Sequence, residues 1–247
     1  MMIALFSLSG APGVTTVSLA LAGSWPSADP VRMVEADASG GDVAAWWDVP
    51  PWPGVVDLAA ASRSGQDHER PDLFSSTQVL PGGTRVCVAP STAERTTAAL
   101  ELLAQNPKAL RDGVTVVDLG RVGPEGASAA LLGAADLAVA VTTGGAAQLK
   151  RVKEASSGWS SQNGPPIGAA VLGAEHSSRE ISSALGVPVW ARLPRDRKAA
   201  AFLANRADPP RIHRRPLIKA ARELAHTLIA RAEDSPHLER VETEEAW

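Results

Sequence analysis

The sequence predicts an α/β protein: a mostly parallel, twisted sheet of about seven strands with helices on both faces. Short apolar runs alternate with helix-like stretches from one end of the chain to the other. These runs are nearly continuous in Val, Ile, Leu and Ala instead of alternating with polar residues, as strands covered on both faces require. Strand–helix alternation over 247 residues also leaves enough chain to bury a full core.

The strands are expected at 2–7, 31–35, 84–89, 114–118, 137–141, 167–172 and 189–193. Between them, helical spacing marks 15–23, 55–62, 92–105, 127–132, 146–156, 177–185 and 196–205. Pro216 then opens a last helix, 217–232, with Leu217, Ala221, Leu224, Leu228 and Ile229 on its apolar face. Two stretches rich in Pro, Trp and charge, 46–53 and 63–71, read as irregular. The expected organisation is one α/β domain over 1–233, followed by an acidic, disordered tail over 234–247.

Composition excludes several classes. One cysteine, Cys87, rules out an internal disulfide framework and a cysteine-built zinc site, and its apolar neighbours make it a buried strand residue. The five histidines are scattered without metal-ligand spacing. No apolar run approaches the roughly 18 residues of a membrane span, and the first residues read as a strand with no basic n-region, so a cytoplasmic protein is expected. The net charge of −3 hides an asymmetry: ten Lys or Arg against two Asp between Arg192 and Arg222, then an acidic tail.

The first strand runs into Ser7-Leu8-Ser9-Gly10-Ala11-Pro12-Gly13-Val14-Thr15-Thr16 and straight on into a helix. A strand, a glycine turn and a helix opening on hydroxyls can cradle phosphate: backbone N–H groups point inward, the helix N-terminus adds about half a positive charge, and a hydroxyl reaches Mg²⁺. Asp37 follows the second strand and Asp118 ends the fourth, so Thr15, Asp37 and Asp118 supply the oxygen ligands that Mg²⁺ takes. A tight strand–helix turn with two loop aspartates is the plainer reading of the same residues.

The loop resembles the deviant Walker A motif of the ParA/MinD family of P-loop ATPases, K-G-G-x-G-K-T-T, with Gly10, Gly13, Thr15 and Thr16 matching. Ser9 stands at the family's signature lysine, Val14 at the lysine that holds the β- and γ-phosphates, and Ala11 at a glycine; Pro12 removes an N–H donor. The segment 31–41 is similar to the family's D-x-D-P-x-G motif, and 114–120 to its Walker B strand. The resemblance implies a P-loop NTPase fold, with phosphates on Gly10, Ala11, Gly13, Val14, Thr15 and Thr16. It implies Mg²⁺ on Thr15, Asp37 and Asp118, with a vestigial water-orienting role for Asp37.

The stretch 185–196 resembles the segment that lines the family's base pocket, which implies base contacts from Pro194 and Asp196; the adenine-reading asparagine is absent, with Gly173 nearby. Other details resemble an actinobacterial branch close to the ParA-like proteins of Tad pilus and secretion systems. Without its lysines the loop is expected to bind ATP and Mg²⁺ weakly and to hydrolyse little. The function expected is that of a positioning or assembly factor acting on protein partners, a pilus or secretion ATPase complex among them, with a homodimer as a further option. An active dimerising ATPase switch and a non-specific DNA-binding partition protein are the alternatives.

Trp46, Trp47 and Trp52 with three prolines form either a helix cap or a partner surface. The basic stretch 206–222 reads as a solvated face before it reads as a DNA-binding one. The acidic tail is repelled by anionic lipid. Co-sedimentation of the chain with anionic liposomes is therefore expected to be absent, and binding that disappears on deleting 234–247 would contradict this.

Overall fold

In β1 (Met2–Ser7), Met2, Ala4 and Phe6 enter one apolar cluster with Leu58, Leu100, Leu103 and Leu131. Ile3 and Leu5, between them, enter the opposite cluster with Val17, Leu21, Leu224 and Leu228. All five side chains are fully buried, so the alternation built into a strand produces no alternation of polarity. The computed structural model describes residues 1–10, 12–26, 31–64, 73–159 and 164–234. Ala11, most of the irregular stretch 63–71, His68, His237 and the tail from 235 onward lie outside the described residues.

The elements that follow are α1 (Val14–Gly23), β2 (Val31–Glu35), α2 (Val43–Trp47), α3 (Val55–Ser64), β3 (Gln78–Val79), β4 (Arg85–Cys87) and α4 (Ala93–Gln105). Then come β5 (Val114–Arg121), α5 (Ala127–Gly133), β6 (Leu137–Thr143), α6 (Ala146–Trp159), β7 (Ile167–Leu172), α7 (Ser178–Leu185), β8 (Val189–Leu193), α8 (Arg197–Leu203) and α9 (Pro216–Glu233). The sheet order is β3-β4-β2-β5-β1-β6-β7-β8, and only the β3–β4 pair is antiparallel. Helices α1, α8 and α9 cover one face, and α3, α4 and α5 the other. Val152 of α6 and Ile181 and Leu185 of α7 close over Ala169 and Val171 of β7.

Two elements differ from expectation. β3 adds an eighth strand of only two residues, and α2 forms inside the stretch read as irregular. β3 is held by antiparallel pairing of Gln78 and Val79 with Val86 and Arg85 of β4, and just before it the Phe74 ring lies under the Arg32 guanidinium at 5.1 Å and the Arg85 guanidinium at 3.9 Å. Among the described residues no helix is long and apolar enough to cross a membrane.

β1 lies between β5 and β6, and the chain leaves it towards β2 on one side before returning to β6 on the other. That reversal opens a crevice beyond the carboxyl end of β1, where open α/β sheets bind ligands.

Asp196 fastens the last two helices to this frame. Its carboxylate accepts from the Ala199 N–H at 3.1 Å as the N-cap of α8, and from both Nε and Nη2 of Arg215, the residue before α9. Burial alone would raise this carboxyl; the Arg215 guanidinium and the backbone N–H groups of Ala199 and Leu217 outweigh it and hold it below its ordinary value. The Asp196 side chain is 2% exposed and that of Arg215 30%. Asp196→Ala is expected to lower the unfolding free energy by about 1–3 kcal/mol in denaturant titration, through loss of the α8 cap and of the hydrogen bonds to Arg215. A change below about 1 kcal/mol would show that the clamp does not hold the helices.

Candidate functional site

The chain turns from β1 into α1 on Gly13, whose φ of 89° suits glycine; its carbonyl accepts the first helical hydrogen bond, from the Val17 N–H at 3.0 Å. No side chain caps α1 and no acid sits in its first turn, so the N–H groups there remain available to an anion. Thr15 and Thr16 are half-buried and Gly10 is exposed. Val14 is different. It is 6% exposed and packs into the apolar cluster beneath α1.

Asp118 stands in register with Leu5 of β1 and Glu35 of β2 and is fully buried. Its Oδ1 accepts from the Gly120 N–H at 3.1 Å, while Oδ2 is buried without a hydrogen-bond partner. Burial pushes this carboxyl up to about 7, and the negative charges of Glu35 and Asp37 add to the rise. The Thr15 hydroxyl is close enough to oppose it, which places Thr15 beside Asp118.

Asp37 reaches the same place through a backbone irregularity. Between the pairs Leu5–Asp118 and Ser7–Arg121, β5 carries one more residue than β1, and Gly120 lies there with φ 56°. A Cβ on Gly120 would sit 1.8 Å from Oδ2 of Asp37, so the absent side chain is what admits the aspartate. Oδ1 of Asp37 is held by the N–H and the hydroxyl of Ser39 at 2.8 and 2.6 Å.

The loop carrying Asp37 is fixed by Glu35. This buried carboxylate accepts from the N–H groups of Asp42 at 2.7 Å, Val43 at 3.0 Å and Ala89 at 2.9 Å, joining the N-terminus of α2 to the end of β4. Desolvation still leaves it above its ordinary value, against those three donors. Gly41 makes room, since a Cβ there would lie 2.3 Å from Oε2 of Glu35.

The structure thus brings Thr15, Asp37 and Asp118 to one crevice with the N-terminus of α1. An unpartnered buried carboxylate oxygen, a hydroxyl and a second carboxylate suit a hard cation such as Mg²⁺. Among the described residues no three His, Cys, Asp or Glu side chains converge as a metal cage, so such an ion would keep much of its water. When bound, it would supply positive charge to phosphate oxygens.

The other predicted residues fall elsewhere. Asp196 is spent on the helix clamp described above, with Pro194 half-buried just before it. Beside them, Gly173 lies under the Arg195 side chain, where a Cβ would meet Nε at 2.6 Å. Of the tryptophans, Trp47 donates from Nε1 to the Leu203 carbonyl at 3.2 Å and meets Phe202 edge-on, and Trp46 packs on the same cluster. Trp52 is 66% exposed on a loop that Gln78 holds through the carbonyls of Pro50 and Pro53.

Among solved structures, a ParA-family ATPase from Chlorobium tepidum superposes with TM-score 0.71 at 18% identity, covering 92% of this chain and 98% of that one. The fold is that of the ParA/MinD ATPases. MinD from Pyrococcus horikoshii in complex with Mg-ADP matches with TM-score 0.66, 17% identity and coverage of 92% and 95%. The MinC:MinD complex of Aquifex aeolicus matches with TM-score 0.66, 16% identity and coverage of 93% and 95%. No protein-family model and no curated protein sequence matches the chain.

In this ParA/MinD-like fold Asp118 has a consequence for stability. The unfolded chain releases the proton near an ordinary value of about 3.9, whereas the folded state keeps it to about 7. Stability from this group is complete below about pH 4 and is lost as pH rises to about 7. The wild-type melting temperature in EDTA is expected to fall across that window, and Asp118→Asn to flatten the fall. Equal pH dependence in wild type and variant would contradict the assignment.

Proposed function

We propose that this chain is a ParA/MinD-like positioning or assembly factor that acts by binding, not by turnover. The reading rests on one observation: the oxygen donors of the crevice are assembled, while the position of the phosphate-holding lysine carries Val14, buried in the core. Mg²⁺ and an ATP-type nucleotide are weak ligands on this reading. The magnesium is essential, because Asp37, and Asp118 once it is ionised, repel a bare polyphosphate. Asp37 retains at most the remnant of a water-orienting role.

The partners we propose are proteins, a pilus or secretion ATPase complex among them, with a second copy of the chain as a further partner. Exposed Trp52 is the residue of the tryptophan cluster best placed to meet them. DNA is the weaker candidate: within the basic stretch, Arg215 is already paired with Asp196. Direct lipid contact is not part of the function, and the cytoplasm is the proposed setting.

Phosphate release from Mg-ATP is expected to stay at background and to be unaffected by Asp37→Ala. The variant carrying Ser9→Lys and Val14→Lys should gain affinity for Mg-ATP of about ten- to a hundredfold per lysine, read by calorimetry. Turnover by the wild type that Asp37→Ala abolishes would overturn the reading; a double variant that gains nothing would mean that the site has collapsed and the protein works purely as a scaffold.

A further inference from the structure

The start of α6 places an amide over the phosphate loop. Gln148 Oε1 accepts from the Thr143 N–H at 2.9 Å, at the end of β6. A backbone N–H only donates, so the oxygen must face Thr143 and the amide nitrogen must face away. It faces Gly10: a Cβ built on that glycine would stand 2.9 Å from Nε2. The turn from β6 into α6 that carries the amide is itself braced, with the Gln148 N–H on the Gly145 carbonyl at 3.0 Å and the Gly145 N–H on Oγ1 of Thr143 at 3.3 Å. A donor on a side chain locked at its far oxygen is pre-organised, and little freedom is lost when it engages a ligand.

We propose that Gln148 is a phosphate-binding residue of this site, a neutral donor that partly replaces the charge missing at Ser9 and Val14. The proposal rests on the reading above, that the crevice accepts a phosphate-bearing ligand with Mg²⁺. Independent support for a ligand there comes from the buried, unpartnered Oδ2 of Asp118, beside Thr15 on the same crevice. The division of labour is chemical. The oxygens of Asp118 and Thr15 serve the cation, and the α1 N–H groups and Nε2 of Gln148 serve the phosphate. A neutral donor contributes about half as much as a charged one, so the affinity is modest and the loop gains no further positive charge to repel a second cation.

The test uses Mg-ADP and inorganic phosphate as probes of the full-length chain, by calorimetry. Gln148→Glu keeps an oxygen for the Thr143 N–H and turns the donor into a repelling carboxylate. Its Mg-ADP affinity should fall about tenfold or more, with an unchanged melting temperature in the absence of ligand. Gln148→Leu removes the donor without adding charge, and its affinity should fall about fivefold. Wild-type binding that both variants retain overturns the role of Gln148 and leaves the reading of the crevice standing. Tighter binding by Gln148→Leu means that the side chain plugs the loop, which also overturns the proposal. A wild-type chain that binds neither probe overturns both.

Discussion

Asp118 is held between Leu5 of β1 and Glu35 of β2 without solvent exposure, one oxygen on the Gly120 N–H and the other on nothing. A charged carboxylate in that position costs several kcal/mol unless something compensates it. It therefore takes a proton or it takes a cation, and the raised carboxyl shows which it does when alone. The helix that follows β1 meets this choice directly, because Thr15 stands beside the same carboxylate.

The neighbouring loops follow from the same constraint. One additional residue on β5 turns Gly120 into left-handed backbone, and the space it leaves brings Asp37 to the site. Glu35, one methylene longer than aspartate, reaches across to the start of α2 and the end of β4 and holds the Asp37 loop in place. The charges of Glu35 and Asp37 add to the rise that burial imposes on Asp118, and three backbone donors offset part of the cost of burying Glu35. Neither Val14, in the core, nor Ser9, short and neutral, sets a positive charge against these carboxylates.

The parts that were legible in the sequence are those where residue type alone decides. Strands 2–7, 31–35, 167–172 and 189–193 coincide with β1, β2, β7 and β8, because mostly apolar runs survive in them even where Arg32 and Glu35 interrupt β2 and Arg192 interrupts β8. Thr15, Asp37 and Asp118 were visible through the resemblance of their segments to the ParA/MinD motifs, read with strand context. Glu35 was not recognisable as the fastener of its loop, nor Gly120 as the opening for Asp37, since both roles depend on register between strands distant in sequence. Asp196 illustrates the same limit: its partner Arg215 lies 19 positions away, just before another helix, and no local pattern connects them. β3 was missed because two residues carry no pattern and only pairing with β4 defines it, and α2 because its tryptophans and the prolines after it obscure a single helical turn.

β3 has a consequence for how copies of the chain can meet. A parallel sheet bordered by a long bare strand invites another chain to extend it, and repetition of that step makes a fibre. Here that border runs antiparallel, is two residues long and leads into Pro81-Gly82-Gly83, so an incoming strand finds almost no ladder to join. Stacking of sheets end on end is blocked from this side. Contacts made from this border must therefore use loops and helix faces instead of a shared ladder.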